Sequence, residues 1–449
     1  MSKARLLLVF ALVAAWVLPH VVQAQASGLR VVESHAQGDF PDTISFSLEA
    51  ESSTTINQVV LQFRVKQANC APSLATEKPD FTPGNAVSVT WTWPLKKVGG
   101  LPPGSLIEFR WQLADSAGGR LTTDWQLFEF TDQRYNWQTM TGKGLTLYWY
   151  RGSPDFASEL VKAGEGALDR LARDTGAQLK ATARLYIYGS SEEVRGAFIF
   201  SAEWTGGQAF PGTNIIALGI GPEILGWGRT AVAHELSHLV VGEVTFNCYA
   251  GIPTWLSEGL AVYAEGDVSS DRAARLRRAI SQDQLLSVRS LSGSFPADSE
   301  QANLSYTQSR SLVEFLIQRN GAEKMLQLLN VFGEGSRYDA ALSQVYGLDS
   351  DGLDAAWREW IGAGPRPTPS PASPGPASAA TPTPIPSGRG GGCQPSLRAS
   401  AGPSDGWVLG LALLVGLMVP PAGQLWLERR RQAGRSTLPA SKEKRRAND

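Results

Sequence analysis

Residues 29–134 contain short runs in which apolar and polar positions alternate, the pattern of β-strands with one buried face. Clusters of Pro, Gly, Asn and Asp, which favour turns, separate these runs. Short strands at this spacing predict an all-β domain with an immunoglobulin- or fibronectin-like sandwich fold. The predicted strands are 44–48, 60–65, 87–93, 107–113 and 125–130.

Three tryptophans, Trp91, Trp93 and Trp111, fall within these predicted strands. A row of aromatic rings on a sheet is typical of a sugar-binding platform or of the packed face of a sandwich. The alternation of apolar and polar positions around the tryptophans favours core packing.

Beyond residue 134 the pattern changes to strands that alternate with helices. Ser190 and Glu193 form a capping box, which predicts the start of a short helix. Residues 204–210 contain two glycines and are predicted to form a loop. The remaining predicted elements are strands at 145–150, 183–188 and 214–218 and helices at 156–175 and 229–241.

After residue 265 only helical periodicity remains, so that 135–362 is predicted to be one α+β domain. The first of these later helices carries Arg272 among several basic positions, and such a face is typical of solvent exposure rather than of contact with anionic lipid. The predicted helices are 271–284, 305–317, 321–332, 340–346 and 353–361.

The pattern of residues at the N-terminus predicts that the protein is secreted. Residues 1–24 have a basic start, an apolar run and a small-residue cleavage site, which together are typical of a signal peptide. The mature chain is therefore expected to begin with the all-β domain, outside the cytoplasm.

The C-terminal region predicts a membrane anchor. Residues 363–406 are rich in Pro, Ala, Ser, Thr and Gly, a composition that cannot bury a core and is typical of a disordered stalk. Residues 407–427 carry no charge and are about long enough to span a bilayer as a transmembrane helix in contact with membrane lipid. The basic segment 428–449 then predicts a cytoplasmic tail. Two prolines within 407–427 leave a hairpin as the alternative to a single span.

Composition excludes one class of partner and leaves the cysteines open. The chain has 41 basic and 42 acidic residues, so no nucleic-acid-binding surface is indicated. Its three cysteines are Cys70, Cys248 and Cys393. A disulfide is permitted outside the cytoplasm, but the odd count leaves the pairing undetermined.

The strongest chemical signal is the H-E-x-x-H pattern formed by His234, Glu235 and His238. On a helix, residues four positions apart lie on one face a single turn from each other, so both imidazoles can reach one ion. The chain has four histidines in all, and two of them fall in this pattern. The spacing predicts a zinc site in which Glu235 takes the proton of an attacking water.

The two histidines leave at least one ligand position to be filled. The other histidines lie near the N-terminus, so a carboxylate must complete the site. A second motif, W-L-S-E-G-L-A-V-Y, contains Glu258 next to Gly259 and follows Pro253, which suits the start of a helix. We expect Gly259 to allow close packing of this helix on the first. Glu265, two turns after Glu258, is a weaker ligand candidate.

The pair H-E-L-S-H and W-L-S-E-G-L-A-V-Y resembles the gluzincin metallopeptidases, especially those called peptidase MA-like, and more distantly the aminopeptidase N relatives. This resemblance implies that Glu258 is the third zinc ligand, beside His234 and His238. It also implies hydrolysis of a peptide or protein substrate. No G-x-M-E-N motif for gripping a substrate amino terminus is present, which favours an endopeptidase over an aminopeptidase.

Two further roles remain open between alternatives. The resemblance implies that the strand before the metal helix, here 215–218, forms a sheet edge that pairs with the substrate backbone. An interior strand without a substrate role is the alternative. The oxyanion formed during water attack needs a hydrogen-bond donor. Tyr306 is the favoured donor, and Tyr263 and Arg310 are the alternatives.

The sequence therefore predicts a membrane-anchored, extracytoplasmic zinc metallopeptidase. A cell-surface adhesion or scaffold protein with a structural or inactive metal site is the rival hypothesis. The retained Glu235 argues against the rival, because zinc binding alone does not require that carboxylate.

Overall fold

The computed structural model describes residues 28–71, 73–199 and 206–366. The predicted signal peptide, the transmembrane helix, the basic tail, Cys393 and nearly all of the predicted stalk lie outside these residues. Within the described part of the chain, no helix is both long enough and apolar enough to cross a membrane.

The N-terminal region is all-β, as predicted. Its seven strands are joined in one sheet of antiparallel pairs, in which β2 contacts four other strands. The strands are β1 (Arg30–Asp39), β2 (Thr43–Val65), β3 (Ala75–Glu77), β4 (Gly84–Pro94), β5 (Ser105–Asp115), β6 (Arg120–Thr122) and β7 (Gln126–Phe130).

A bend in β2 makes two layers from this one sheet. The predicted strands 44–48 and 60–65 both belong to β2, whose first half pairs with β1 and β4 and whose second half pairs with β3 and β5. Phe46 and Phe63, one in each half, lie with ring centroids 5.4 Å apart, so the strand folds back on itself. The immunoglobulin- or fibronectin-like sandwich stays a prediction.

The tryptophans of this region belong to its core rather than to an exposed platform. Trp111 is fully buried. The rings of Trp91 and Trp93 lie 5.4 and 4.8 Å from that of Phe63, and both pack against the same buried cluster.

A second, five-stranded sheet follows in the order β11-β12-β10-β9-β8. One face, with Tyr186, Tyr188 and Ile215, packs on the core of the N-terminal region, and the other face packs on helices α1 and α3. Its strands are β8 (Gln138–Gly142), β9 (Leu145–Trp149), β10 (Ala183–Tyr188), β11 (Gly207–Phe210) and β12 (Ile215–Gly219).

The pairing of this sheet decides between the two alternatives for 215–218. Strand β12, which contains the predicted 215–218, is interior because it pairs in parallel with β10 and antiparallel with β11. The edge strand is instead β11, where the sequence predicted only a loop. Gly207 and the shortness of this strand weaken its alternation, so the pattern alone did not reveal it.

Nine helices lie in the described residues, and most follow the predicted positions. The predicted helices 305–317 and 321–332 are parts of α7, which is broken at Gly321 by a φ of 78° and a ψ of 173°. The helices are α1 (Pro154–Thr175), α2 (Ser191–Arg195), α3 (Leu225–Thr245), α4 (Thr254–Ala264), α5 (Ser270–Ser281), α6 (Val288–Leu291), α7 (Ser299–Gly333), α8 (Tyr338–Tyr346) and α9 (Ser350–Trp360).

The connection between α3 and α4 is fixed by polar contacts and by one covalent bond. The side-chain amide of Asn247 donates to the carbonyls of Ala250 and Phe332, and its oxygen accepts from the backbone N–H groups of Tyr249 and Ala250. A disulfide joins Cys248 in this connection to Cys70, which follows β2. The relative position of the two helices is therefore set by the loop that joins them as well as by their packing.

Gly259 on α4 packs against a different helix from the one expected. A Cβ atom built there would lie 2.4 Å from the carbonyl oxygen of Ser309 and 2.8 Å from a methyl group of Val313, both on α7. The close approach that this glycine permits is therefore between α4 and α7, and the expectation of close packing on α3 was wrong.

Gly259→Ala is expected to destabilise the fold. The added methyl group overlaps backbone, which cannot rotate away as a side-chain end can, and such overpacking costs about 1–3 kcal/mol. Gly166→Ala is the matched control, because Gly166 is a helical residue of α1 whose added Cβ would meet nothing within 4 Å. Chemical denaturation of both variants checks this, and equal stabilities would contradict the packing argument.

Candidate metal centre

Helix α3 presents both histidines of the H-E-x-x-H pattern to one point. This helix is apolar on nearly all sides, and 231–241 are buried among α1, α4 and the second sheet. The His234 and His238 ring centroids lie 5.0 Å apart. From α4, Glu258 reaches the same point, with its Oε2 atom 3.4 Å from His234 Nε2 and 3.6 Å from His238 Nε2. One ligand atom from each residue lies within 4.8 Å of the others.

These separations fit a tetrahedral cation. Ligand atoms about 2.0–2.1 Å from zinc at tetrahedral angles lie about 3.3 Å from one another. Glu258 Oε2 lies at nearly this distance from both His234 Nε2 and His238 Nε2. The three atoms are also buried and have no hydrogen-bond partner in the described structure. Buried polar atoms are normally paired, so the arrangement fits a bound metal ion.

The charges around this point also favour a cation. Glu235, Glu258 and Glu265 are all buried. Burial lowers the pKa of His234, but the adjacent carboxylates of Glu258 and Glu265 outweigh it and raise that pKa to about 10. Burial lowers the pKa of His238 to about 4, an effect that the charge of Glu258 opposes and that of His234 reinforces. The carboxylates therefore stabilise positive charge at the point where the ligand atoms meet.

The outer nitrogen of each ring has its own partner. His234 Nδ1 lies 2.9 Å from Oε1 of Glu265, and His238 Nδ1 lies 3.2 Å from the hydroxyl of Ser257. Glu265 is therefore behind His234, on the side of the ring away from Glu258, and the idea of Glu265 as a ligand was wrong. A carboxylate in this position fixes the ring orientation and leaves Nε2 free to bind metal.

Glu235 lies beside the metal-binding group and is available for proton transfer. It is 2 % exposed, and its Oε2 atom has no hydrogen-bond partner among the described residues. Burial raises its pKa to about 7, although the backbone N–H of Ala209 opposes this shift by hydrogen-bonding the carboxylate. Ala209 belongs to the edge strand β11, so this carboxylate adjoins the sheet edge.

Among the three candidates for the hydrogen-bond donor to the oxyanion, Tyr306 has the most suitable position. It is buried on α7, and its pKa is raised by burial and then by the negative charges of Glu258, Glu235 and Glu265, so its hydroxyl is within electrostatic reach of them. Tyr263 donates its hydroxyl hydrogen to Asp174, and Arg310 donates to the carbonyl of Val262. The Tyr263 hydroxyl is therefore committed to another partner, whereas the buried Nε of Arg310 has no hydrogen-bond partner among the described residues.

Comparison with protein families supports a peptidase. Residues 163–363 match the model of the Peptidase MA superfamily. The matched segment is somewhat less than half of the chain, and it contains both motifs and all four residues of the site. The similarity agrees with the resemblance inferred from the two motifs, and the narrower gluzincin assignment stays a prediction. No curated protein matches the chain.

Three solved structures share local likeness with the chain. Aminopeptidase A from Legionella pneumophila is 12% identical at a TM-score of 0.34, over 74% of this chain and 49% of that protein. OgpA from Akkermansia muciniphila is 11% identical at 0.18, over 23% and 29%. The sporulation control protein Spo0M from Bacillus subtilis is 10% identical at 0.16, over 32% and 56%. The chain spans about half the length of the aminopeptidase.

The sequence did not reveal several residues that shape the site. Ser257 stands in the second motif, but nothing in the motif indicates that its hydroxyl meets His238. Ala209 contributes only its backbone N–H group, and the type of a residue does not indicate what its backbone will contact. Asn247 follows α3 at a position where an Asn favours a turn, and this was the one available signal.

Proposed function

We propose that the protein is a zinc-dependent metallopeptidase, in which His234, His238 and Glu258 hold the metal and Glu235 transfers the proton. The observation that carries this proposal is the buried convergence of the three ligand atoms, with a carboxylate of raised pKa beside them. When bound, zinc supplies a Lewis acid for the substrate carbonyl and the attacking water.

The protein's own groups perform the remaining steps. Glu235 accepts the proton of the attacking water and then passes it to the leaving amine, for which a pKa near neutrality is well suited. Glu265 and Ser257 hold the two imidazoles in place from behind. The hydroxyl of Tyr306 donates to the oxyanion as the carbonyl becomes tetrahedral.

The edge strand β11 provides the place for an extended substrate. Its pairing with β12 occupies one side of the strand and leaves the other side unpaired within the described sheet. A peptide can pair with such an edge through backbone hydrogen bonds, which depend little on side-chain identity. Because Ala209 lies against Glu235, a peptide paired there would present its backbone to the catalytic carboxylate. We propose internal cleavage, an endopeptidase activity, on this basis.

Tyr306→Phe is expected to lower kcat by about 10²- to 10³-fold with a smaller change in KM, because the lost hydrogen bond forms only with the oxyanion. Zinc content should remain unchanged, since the phenol is not a ligand. Tyr263→Phe is the control, because its hydroxyl is bonded to Asp174 instead. An equal loss of kcat in the two variants would contradict the role of Tyr306 as the donor to the oxyanion.

We propose an extracytoplasmic, membrane-anchored location. The signal-like start, the stalk, the uncharged segment 407–427 and the basic tail support it. The Cys70–Cys248 disulfide supports it as well, because such bonds persist in oxidising compartments. Protease digestion of intact cells tests this topology, and protection of residues 28–366 from external protease would contradict it.

The proposed function is tested by purifying the full-length chain, measuring its zinc content and assaying a peptide library before and after chelation. We expect one zinc per chain and hydrolysis that is lost on chelation and restored by zinc. Bound zinc without hydrolysis of any peptide would instead favour the adhesion or scaffold protein with an inactive site. Absence of zinc would overturn the metal site itself.

A further inference from the structure

Arg272 holds the outer side of the carboxylate that orients His234. Its Nη1 atom lies 2.5 Å from Oε2 of Glu265, whose other oxygen lies 2.9 Å from His234 Nδ1. The side chains of Arg272 and Glu265 are only 17% and 4% exposed. A chain of three side chains therefore runs from α5 through the end of α4 to a proposed metal ligand.

The charge of Glu265 requires a partner in this setting. A buried carboxylate left without a compensating charge is strongly unfavourable. When a histidine binds metal through Nε2, its ring is neutral and donates through Nδ1–H to the carboxylate behind it. The full positive charge in contact with Glu265 is then that of Arg272.

The backbone that carries Glu265 is fixed by other groups. Glu265 stands at the C-terminal end of α4, where Arg170 donates to the carbonyl of Ala264 and Arg310 donates to that of Val262. Guanidinium groups at a helix C-terminus satisfy carbonyls that lack a partner within the helix. Because these two arginines hold the helix end, the contact of Arg272 acts on the carboxylate itself.

Arg272 differs in its surroundings from Arg277 and Arg278 of the same helix. Its backbone N–H donates to the hydroxyl of Ser269, the N-cap of α5, and this bond stabilises the first turn of that helix. Gly266, with a φ of 110°, forms the turn between the two helices. Arg277 and Arg278, on the same helix, are exposed. The sequence-based interpretation of this face as solvated therefore fails at Arg272.

We propose that Arg272 is a positioning residue of the metal centre. It holds Glu265 in the orientation in which one oxygen accepts from His234 Nδ1, and so fixes the ring and the tautomer that presents Nε2. This inference rests on the metal site of the proposed function. It adds a residue that touches neither metal nor substrate and that acts through Glu265.

The test compares full-length Arg272→Ala, Arg272→Lys and Arg277→Ala with the parent chain. Zinc affinity is measured by competition with a chelator, and the ligand geometry by the visible absorption of the Co²⁺-substituted protein. Thermal unfolding of the metal-free proteins reports stability separately. We expect Arg272→Ala to bind zinc about 10- to 100-fold more weakly than the parent, the usual effect of losing a residue that orients a ligand. Its Co²⁺ spectrum should shift, Arg272→Lys should recover part of the affinity, and Arg277→Ala should match the parent.

The outcomes separate this inference from the proposed function. A parent chain that binds no zinc overturns both. A parent that binds zinc, together with an Arg272→Ala variant of unchanged affinity and Co²⁺ spectrum, overturns the inference alone, even if that variant is less stable. If Arg272→Ala does not fold, Arg272→Gln replaces it, since this variant keeps a donor and removes the charge. Unchanged affinity in Arg272→Gln likewise overturns the inference.

Discussion

Glu235→Gln is expected to abolish most peptide hydrolysis while the protein keeps its zinc. The amide has nearly the shape of the carboxylate but cannot accept a proton from the attacking water or deliver it to the leaving amine. General acid–base groups contribute about 10²- to 10⁴-fold to rate, and kcat should fall by that amount. Zinc content should stay at the parent level, because Glu235 is not one of the three converging ligands.

Glu243→Gln is the matched control for this prediction. Glu243 lies on the same helix α3, two turns further along, and its carboxylate accepts the backbone N–H of Lys180 rather than facing the histidines. Hydrolysis by this variant should equal that of the parent. Substantial hydrolysis by Glu235→Gln would contradict the assignment of Glu235, and loss of zinc from it would show that Glu235 is needed for metal binding.

Glu258→Gln is expected to weaken zinc binding more than any other single change on α4. It removes an anionic ligand, and loss of a residue that only orients a ligand already costs about 10- to 100-fold in metal affinity. Hydrolysis should disappear with the metal. Metal-free Glu258→Gln should remain folded, because the substitution removes a buried charge whose Oε2 atom has no hydrogen-bond partner in the described structure.

Comparison with Glu265→Gln makes this second prediction sharper. Both residues are buried glutamates near His234, but Glu258 faces Nε2 and Glu265 faces Nδ1. Loss of a ligand should therefore weaken zinc binding more than loss of an orienting residue, so Glu258→Gln should lose more zinc affinity than Glu265→Gln. Chelator competition at fixed pH measures both affinities. Equal or reversed losses would mean that the two carboxylates have been assigned the wrong roles.

Local sequence signals predicted most of the fold. Period-two alternation placed β2, β4, β5 and β7 of the N-terminal region but not β1, β3 or β6, and period-3.6 patterns placed helices α1, α3, α7 and α9. Pairing between strands was beyond such signals, because registers depend on residues far apart in the chain. The single long strand β2 was therefore divided into two, and the choice between an edge and an interior position for 215–218 stayed open.

The same limit explains the errors near the site. Gly259 was expected to permit close packing on α3, but a missing side chain says only that something approaches closely and not what approaches. Glu265 was considered a ligand because carboxylates bind zinc, yet its distance from the histidines depends on the turn after Ala264. Arg272 was interpreted as solvated because several residues of its predicted helix are basic.

By itself, the sequence determined which residues could form the proposed metal centre. His234 and His238 are brought together by helix geometry alone, since four residues make about one turn, and the composition left a carboxylate to complete the set. Only the tertiary structure decided which carboxylate faces Nε2 and which supports Nδ1. It also decided which strand lies beside Glu235 and which arginine balances Glu265. These are contacts between separate elements, and packing of the whole domain, rather than any local pattern, fixes the distances between them.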